Sequence, residues 1–352
     1  METETLFKDA LAGIFSAKLE LRKIAQRLSR HDRTILHIAS KDGSLEQVRY
    51  ILKEFADNNI LMKLDSNQET ALHLAAFYGH TEVVKLLIEA AQCLLPASGD
   101  VSFETFVRQP NTSRNTALHL AVANGSLGCA RLLVEADKED RHIPNCQGEP
   151  PVYLAAKLGY NKIVKMICET CTAPSLSGPD DGSTALHAAI KMLPRAKTED
   201  RDVVEVLIGA VRRSISSSNI EAFVRQSDAN EETALHLAVQ GKHLDVVRLI
   251  LEVDRRYPHE DRNKDLKSPI YIAAEQGSKS IVKLLCGTSE FGYTTLGPED
   301  ETALHAAILG SNAECVRSVL DRAPYLVSYV DKKGGHRCIM QHFINLIRYL
   351  RV

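Results

Sequence analysis

The chain has 352 residues, is 44% hydrophobic and 25% charged, and carries a formal net charge of −2. That balance is ordinary for a folded protein and leaves no large basic field for nucleic acid or an anionic membrane surface. Aromatic residues make up only 5%, and Trp is absent. This favours many thin layers of small and aliphatic side chains over one thick core.

The N-terminal stretch METETLFKDALAGIF has acidic residues where a secretory signal carries basic ones, and the eight cysteines are scattered. A reducing, cytoplasmic setting is expected. No apolar run approaches the ~18 residues needed to cross a bilayer. ETLFKDALAGIFSAKLELRKIA has helical spacing of its apolar residues but lacks the motif that follows it. Residues 1–33 are therefore expected to form a terminal capping unit.

From Thr34 one string recurs. It reads TILHIA at Thr34, TALHLA at Thr70 and Thr116, PPVYLA at Pro150 and TALHAA at Thr184. It then reads TALHLA at Thr233, SPIYIA at Ser268 and TALHAA at Thr302. The starts lie 36, 46, 34, 34, 49, 35 and 34 residues apart. A period near 33–34 with T-x-L-H-x-A resembles the ankyrin repeat. The expected fold is all-α, an ankyrin-repeat solenoid of helix–turn–helix units over residues 34–333.

Each motif position has a physical task. Thr70, Thr116, Thr184, Thr233 and Thr302 sit where a hydroxyl caps a helix. Leu72, Ala75 and Ala76 share one helical face, and the small alanines let the next unit approach. Gly43, Gly79, Gly125, Gly159 and Gly277 fall nine residues after their starts, where the first helix needs a left-handed residue. TEVVKLLIEA, from Thr81, supplies the second helix. No unit buries its apolar faces alone, so neighbours must stack.

Two insertions break the period, near residues 93–110 and 211–228. Both contain FVRQ, at Phe106 and Phe223, 117 residues apart, and the later motif starts repeat at nearly the same offset. A three-repeat block was duplicated. A further insertion, around KMLPRAKTED, separates the two helices of the Thr184 unit.

The chemistry-bearing residues fit packing. The motif histidines, including His73, His119, His187, His236 and His305, lie one repeat apart, about 10 Å by helix packing. A shared metal holds its ligands near ~2 Å, so no metal site is expected. A bonding role to backbone or Thr is. Tyr153 and Tyr271 replace two of these histidines. Cys168, in MICETC, falls in the column of Ile88, Val134, Leu251 and Cys286, which is a core column. GPDDGS and GPED lack calcium-loop spacing and read as turns. No phosphate-cradling or nucleophile-elbow motif is present, and no catalytic residue or cofactor is expected.

What remains for function is the variable surface at the end of each first helix. Phe77, Tyr78, Asn124, Lys157, Leu158, Gln240, Glu275 and Gln276 occupy it, and are expected to face a protein partner. Phe77 beside Tyr78 is the candidate anchor.

SPIYIAAEQG, then GPEDETALHAAI, then APYLVSYVDKKG resemble the plant ankyrin-repeat membrane proteins of the accelerated-cell-death type. The resemblance implies a protein-binding scaffold in defence or stress signalling, on the cytosolic face of a membrane in the full-length pattern. Two other readings stand beside it: a truncated, non-functional product of such a gene, and an enzyme or ligase subunit with its site in an insertion. The insertions are short for the latter.

The tail departs from the pattern. A ninth start is due at His336, 34 residues after Thr302. With degenerate bases chosen freely, GGHRCIMQHF shifted by one base reads G-W-T-P-L-H-Y-A-A-F. Residues 334–352 are expected to be a frame-shifted ninth repeat, or the product of alternative splicing or a gene-model error, and to pack poorly.

Overall fold

The computed structural model describes residues 32–55, 58–96, 101–138, 143–171, 174–193, 201–214, 217–254, 261–288, 297–329 and 332. The expectations for residues 1–31 and 334–352, and for most of KMLPRAKTED, lie outside these. The chain divides into two compact units, Met1–Gly178 and Pro179–Val352.

In the first unit, short inner helices alternate with longer outer ones. The inner helices are α1 (Ile35–Lys41), α4 (Ala71–Phe77), α7 (Ala117–Ala123) and α9 (Pro151–Lys157). Their outer partners are α2 (Leu45–Glu54), α5 (Thr81–Leu94), α8 (Leu127–Ala136) and α10 (Asn161–Thr170). Two further helices lie between pairs, α3 (Asn58–Met62) and α6 (Phe103–Arg108). Inner helix packs on inner helix and outer on outer.

The second unit repeats this scheme. Its inner helices are α11 (Ala185–Met192), α14 (Ala234–Gln240), α16 (Pro269–Glu275) and α18 (Ala303–Leu309). Its outer helices are α12 (Arg201–Ser214), α15 (Leu244–Val253), α17 (Lys279–Thr288) and α19 (Ala313–Leu320). The extra helix is α13 (Ser217–Arg225), and a 3₁₀ turn, Pro324–Ser328, follows α19. Among the described residues the fold is all-α, with only isolated β-bridges in the loops.

The motif builds each inner helix from its first residue. At Thr34, Thr70, Thr116, Thr184, Thr233 and Thr302 the backbone is extended, and His sits at the third helical position in a reciprocal capping box. The Thr N–H donates to His Nδ1 at 3.1–3.2 Å. A nitrogen that accepts from an N–H carries no proton, so the ring proton lies on Nε2. From there it donates to the carbonyl just before the next motif. His37 reaches Glu69 O at 2.9 Å, His119 reaches Glu149 O at 3.1 Å, His187 reaches Glu232 O at 3.1 Å and His236 reaches Lys267 O at 3.2 Å. Each such histidine therefore closes one helix and ties it to the following repeat. Tyr271 does the second task by another route, donating its hydroxyl to Glu301 Oε2 at 2.6 Å.

The core is made of the small layers that the composition demands. Leu72, Ala75 and Ala76 are buried, as are Val83, Val84, Leu87 and Ile88 on the paired outer helix. Ile88, Val134, Cys168, Leu251 and Cys286 form one buried column position. Glycine is required where one repeat's surface lies against the next. Gly125 has φ +69°, and a Cβ there would meet the Tyr160 ring at 3.0 Å.

The loops between repeats share a device. Asp65 Oδ1 accepts from the N–H groups of Asn67 and Glu69 at 2.8 and 3.0 Å. Asn111, Asn145, Asp228 and Asn263 do the same two and four residues ahead. One backbone bond then links successive loops: Thr112 N–H to Asn67 O at 2.9 Å, Cys146 N–H to Ser113 O at 3.0 Å and Lys264 N–H to Asn230 O at 2.9 Å. Lys332 N–H donates to Glu299 O at 3.0 Å, so the loop register of the repeats extends to Lys332.

Candidate functional site

The inner helices end at a position whose residue differs between repeats. In the first unit, Phe77 closes α4 and Tyr78 follows it, and each is 45% exposed. Their rings meet edge to face, with centroids 5.1 Å apart. Tyr78 also stacks on His80 at 6.3 Å, and His80 Nε2 lies 2.9 Å from Lys41 O of the preceding repeat. The pair is thus held from two sides while its outer faces stay open to solvent. Two repeats on, Leu158 and Tyr160 are also exposed. Ala123 and Asn124 lie in the repeat between them, exposed and uncharged. Lys157 is exposed too, but its ammonium is engaged by the buried Glu149 at 2.6 Å. That bond holds the lysine pKa above its ordinary value.

In the second unit the same column is more self-satisfied. Gln240 donates to Glu232. Gln276 Nε2 donates to Gln240 O at 3.4 Å. Both glutamines are half-buried, while Glu275 is exposed and paired with Lys267 at 2.8 Å. The eight surface residues divide between the two units. Phe77, Tyr78, Asn124, Lys157 and Leu158 fall on the first unit. Gln240, Glu275 and Gln276 fall on the second, as a network of polar bonds.

One candidate contact had no motif to announce it. Leu266, at a loop tip of the second unit, is 52% exposed and held at φ +60°. Other loops place Gln68, Arg114, Gly148 or Glu231 at this left-handed position. At Leu266 a bulky apolar side chain is held there against backbone preference and left in water. The signal available in sequence was the position two residues before each motif start, where Gly148 and Gly182 stand.

The motif histidines form no reactive centre. Burial lowers the pKa of His37 and His187, and takes His73 and His236 down to about 4. They are neutral hydrogen-bonding groups at physiological pH. Burial pushes the Cys286 thiol up to about 11 and raises Cys315 as well, which removes the thiolate a nucleophile needs. Among the described residues no group of three or more His, Cys, Asp or Glu is placed to hold a metal ion. No described helix is long and apolar enough to cross a membrane.

The family model for ankyrin repeats (three copies) matches residues 14–96, 36–142, 91–175, 118–219 and 196–295. The chain belongs to the ankyrin-repeat family. It is 24% identical over 205 residues to Protein ACCELERATED CELL DEATH 6 of Arabidopsis thaliana, covering 53% of this chain and 29% of that protein. It is 36% identical over 86 residues to the ankyrin repeat-containing protein ITN1 of Arabidopsis thaliana, covering 23% of this chain and 15% of that one. The nuclear factor NF-kappa-B p105 subunit of Rattus norvegicus matches at 28% over 158 residues, covering 44% and 15%. The chain thus spans less than a third of the length of these relatives. Among solved structures, the ankyrin repeat domain of Bcl-3 superposes with a TM-score of 0.53 at 20% identity. That likeness covers 72% of this chain and 99% of that one, and it is a likeness of fold. Ankyrin repeats are generally non-catalytic modules of protein–protein interaction.

Proposed function

We propose that the chain is a non-enzymatic scaffold that binds a protein partner, in plant defence or stress signalling, in the cytoplasm or at the cytosolic face of a membrane as part of a longer protein. The observation that carries the reading is the Phe77–Tyr78 pair. Two aromatic rings lock each other edge to face and remain nearly half in water. Aromatic anchors of this kind dominate binding energy because they bury much apolar area at little entropic cost. The exposed surface through Asn124 to Leu158, where the ammonium of Lys157 is already paired with Glu149, provides surroundings that a partner can cover. The match to a protein named for accelerated cell death supports the setting.

The test is affinity purification from plant extract with the wild-type chain and with Phe77→Ala/Tyr78→Ala. The expected outcome is loss of specific partners from the double variant, with an unchanged melting temperature. A partner set that survives the double variant would rule out this face.

A further inference from the structure

The second unit carries a basic trough on its outer helices, away from the inner-helix ends described above. Two adjoining hollows flank α17, one of about 400 Å³ against α19 and one of about 500 Å³ against α15. Lys283 and Gly287 line both. They stand one helical turn apart on the same face of α17, so the two hollows form one depression crossed by a low ridge. A Cβ built on Gly287 meets nothing within 4 Å, so among the described residues no side chain packs against that point of the trough.

Its walls are positive. Arg248 rises from α15, Lys283 from α17, and Arg317 and Arg322 from α19 and the turn after it, and all four are exposed. Lys279 is paired with Glu314 at 2.7 Å, which fastens α17 to α19. Asp321 is the second carboxylate of the lining. Five cations against two carboxylates give a local balance of +3 in a chain whose total is −2. Among the described residues no carboxylate lies within ion-pair distance of Arg248, Lys283, Arg317 or Arg322. Surface cations normally occur interspersed with acids, as elsewhere on this chain, and a clustered set in excess over its counter-charges attracts an anion. The buried Cys286 at the floor is a neutral thiol, so the trough can hold a ligand but offers no covalent chemistry.

We propose that this trough binds an acidic segment of a partner protein, a stretch of Asp and Glu lying across α17. The shape selects that occupant. The cations stand on two walls and a central ridge, so a single chain carrying carboxylates along its length reaches all of them, whereas a flat bilayer surface reaches the rims alone. Two of the wall residues are paired on one side, Arg317 and Arg322, and guanidinium groups bind carboxylate oxygens in pairs. The only apolar side chains lining the smaller-walled hollow are Leu244 and Leu284. With no aromatic ring in the lining of either hollow, the trough lacks the stacking platform that single-stranded nucleic acid uses.

The experiment uses the full chain and a fluorescein-labelled peptide of about 12 residues alternating Asp and Glu with Gly, read by fluorescence anisotropy. Saturable binding is expected, weakened at least ~10-fold by Lys283→Glu/Arg317→Glu and by raised salt. Arg131→Glu/Lys165→Glu makes the same charge change on outer helices of the first unit, and is expected to shift binding less than ~2-fold. Phe77→Ala/Tyr78→Ala should leave peptide binding intact, which separates this surface from the one proposed for the scaffold function. If the Glu variant melts early, Lys283→Gln/Arg317→Gln replaces it, with a smaller loss in the same direction. The proposal is overturned by absence of saturable binding, by equal weakening in both charge-reversed variants, or by binding of phosphatidylserine vesicles that the trough variant abolishes while the peptide does not bind.

Discussion

Thr and His at the ends of one helical turn perform three tasks that are usually shared among more residues. The threonine opens the helix, the His Nδ1 accepts the Thr N–H, and in four of the six boxes the proton on Nε2 binds the next repeat. The arrangement fixes the tautomer, since Nδ1 is already an acceptor in every box. Nine residues after seven of the eight motif starts a second local constraint applies, a left-handed backbone; in the Thr184 repeat Leu193 stands there in extended backbone. Five repeats answer it with glycine, at φ between +67° and +76°. Two do not: Lys242 sits at φ +61° and Ser311 at φ +55°. In both, the glycine stands one residue earlier, at Gly241 and Gly310, in ordinary helical backbone. A side chain in the left-handed region costs about 1–2 kcal/mol, partly offset by the extra entropy that glycine loses on folding. Ser311→Gly is therefore expected to stabilise the second unit by about 0.5–1 kcal/mol, read as a higher urea midpoint. An unchanged or lower midpoint would mean that the strain is relieved elsewhere.

At the scale of elements, the two insertions are helical braces. Arg108, at the end of α6, grips Asp137 through Nε and through Nη2, the latter at 2.8 Å. Arg225, at the end of α13, grips Asp254 in the same way, with Nη2 at 2.8 Å. Each aspartate is the residue that ends an outer helix, α8 or α15. Both partners recur 117 residues later, so the duplication preserved a whole contact and not only a string. The two braces differ in burial. The Asp254 carboxylate is fully buried, while that of Asp137 keeps 11% exposure. Removing the arginine leaves a charge in apolar surroundings, and the cost grows with how far water is excluded. Arg225→Met is expected to destabilise by about 2–3 kcal/mol and Arg108→Met by about 1–2 kcal/mol, as measured by chemical denaturation. Equal, negligible effects would show that the insertion helices are held by packing alone.

Across the whole molecule, the buried histidines make stability depend on pH with a definite sign. Burial depresses the folded pKa of His37, His73, His187 and His236. Between an ordinary value near ~6.5 and the folded value, the unfolded chain binds protons that the folded chain refuses. Their contribution is complete above about pH 6.5 and is lost as pH falls toward the values of about 4 reached by His73 and His236. At pH 5 each of those two costs roughly 2 kcal/mol relative to pH 7, at about 1.4 kcal/mol per unit. Glu69 opposes the trend, because burial raises its carboxyl pKa. It is one group against four. The urea midpoint is expected to fall steeply from pH 7 to pH 5, and a flat profile over that interval would contradict the neutral, buried state of these rings.

Much of this protein was legible in the order of its residues. Eight recurrences of one string, nearly in phase, set the repeat, its two helices and the all-α fold, because capping, apolar spacing and the left-handed turn all act within a few residues. The core column of Cys168 and Cys286 followed from counting from each start, since stacked repeats put equal offsets at equal depth. The FVRQ strings were visible as a duplication, but their task was not. An arginine's partner 29 residues away is chosen by how α6 and α13 lie against the outer helices, which no local pattern encodes. The surface was least legible. Sequence placed eight variable residues in one column, yet exposure of Phe77 and Tyr78, and the internal bonding of Gln240 and Gln276, depend on which neighbouring repeat offers a carbonyl, a carboxylate or only water. The basic trough is the extreme case. Arg248, Lys283, Arg317 and Arg322 come from three helices spaced along the chain among ordinary acids, and their charges add only because outer helix packs on outer helix. Local chemistry sufficed to determine the repeat, whereas the surface that each repeat presents was decided by stacking, because electrostatic fields and exposure sum over distances that only the tertiary structure sets.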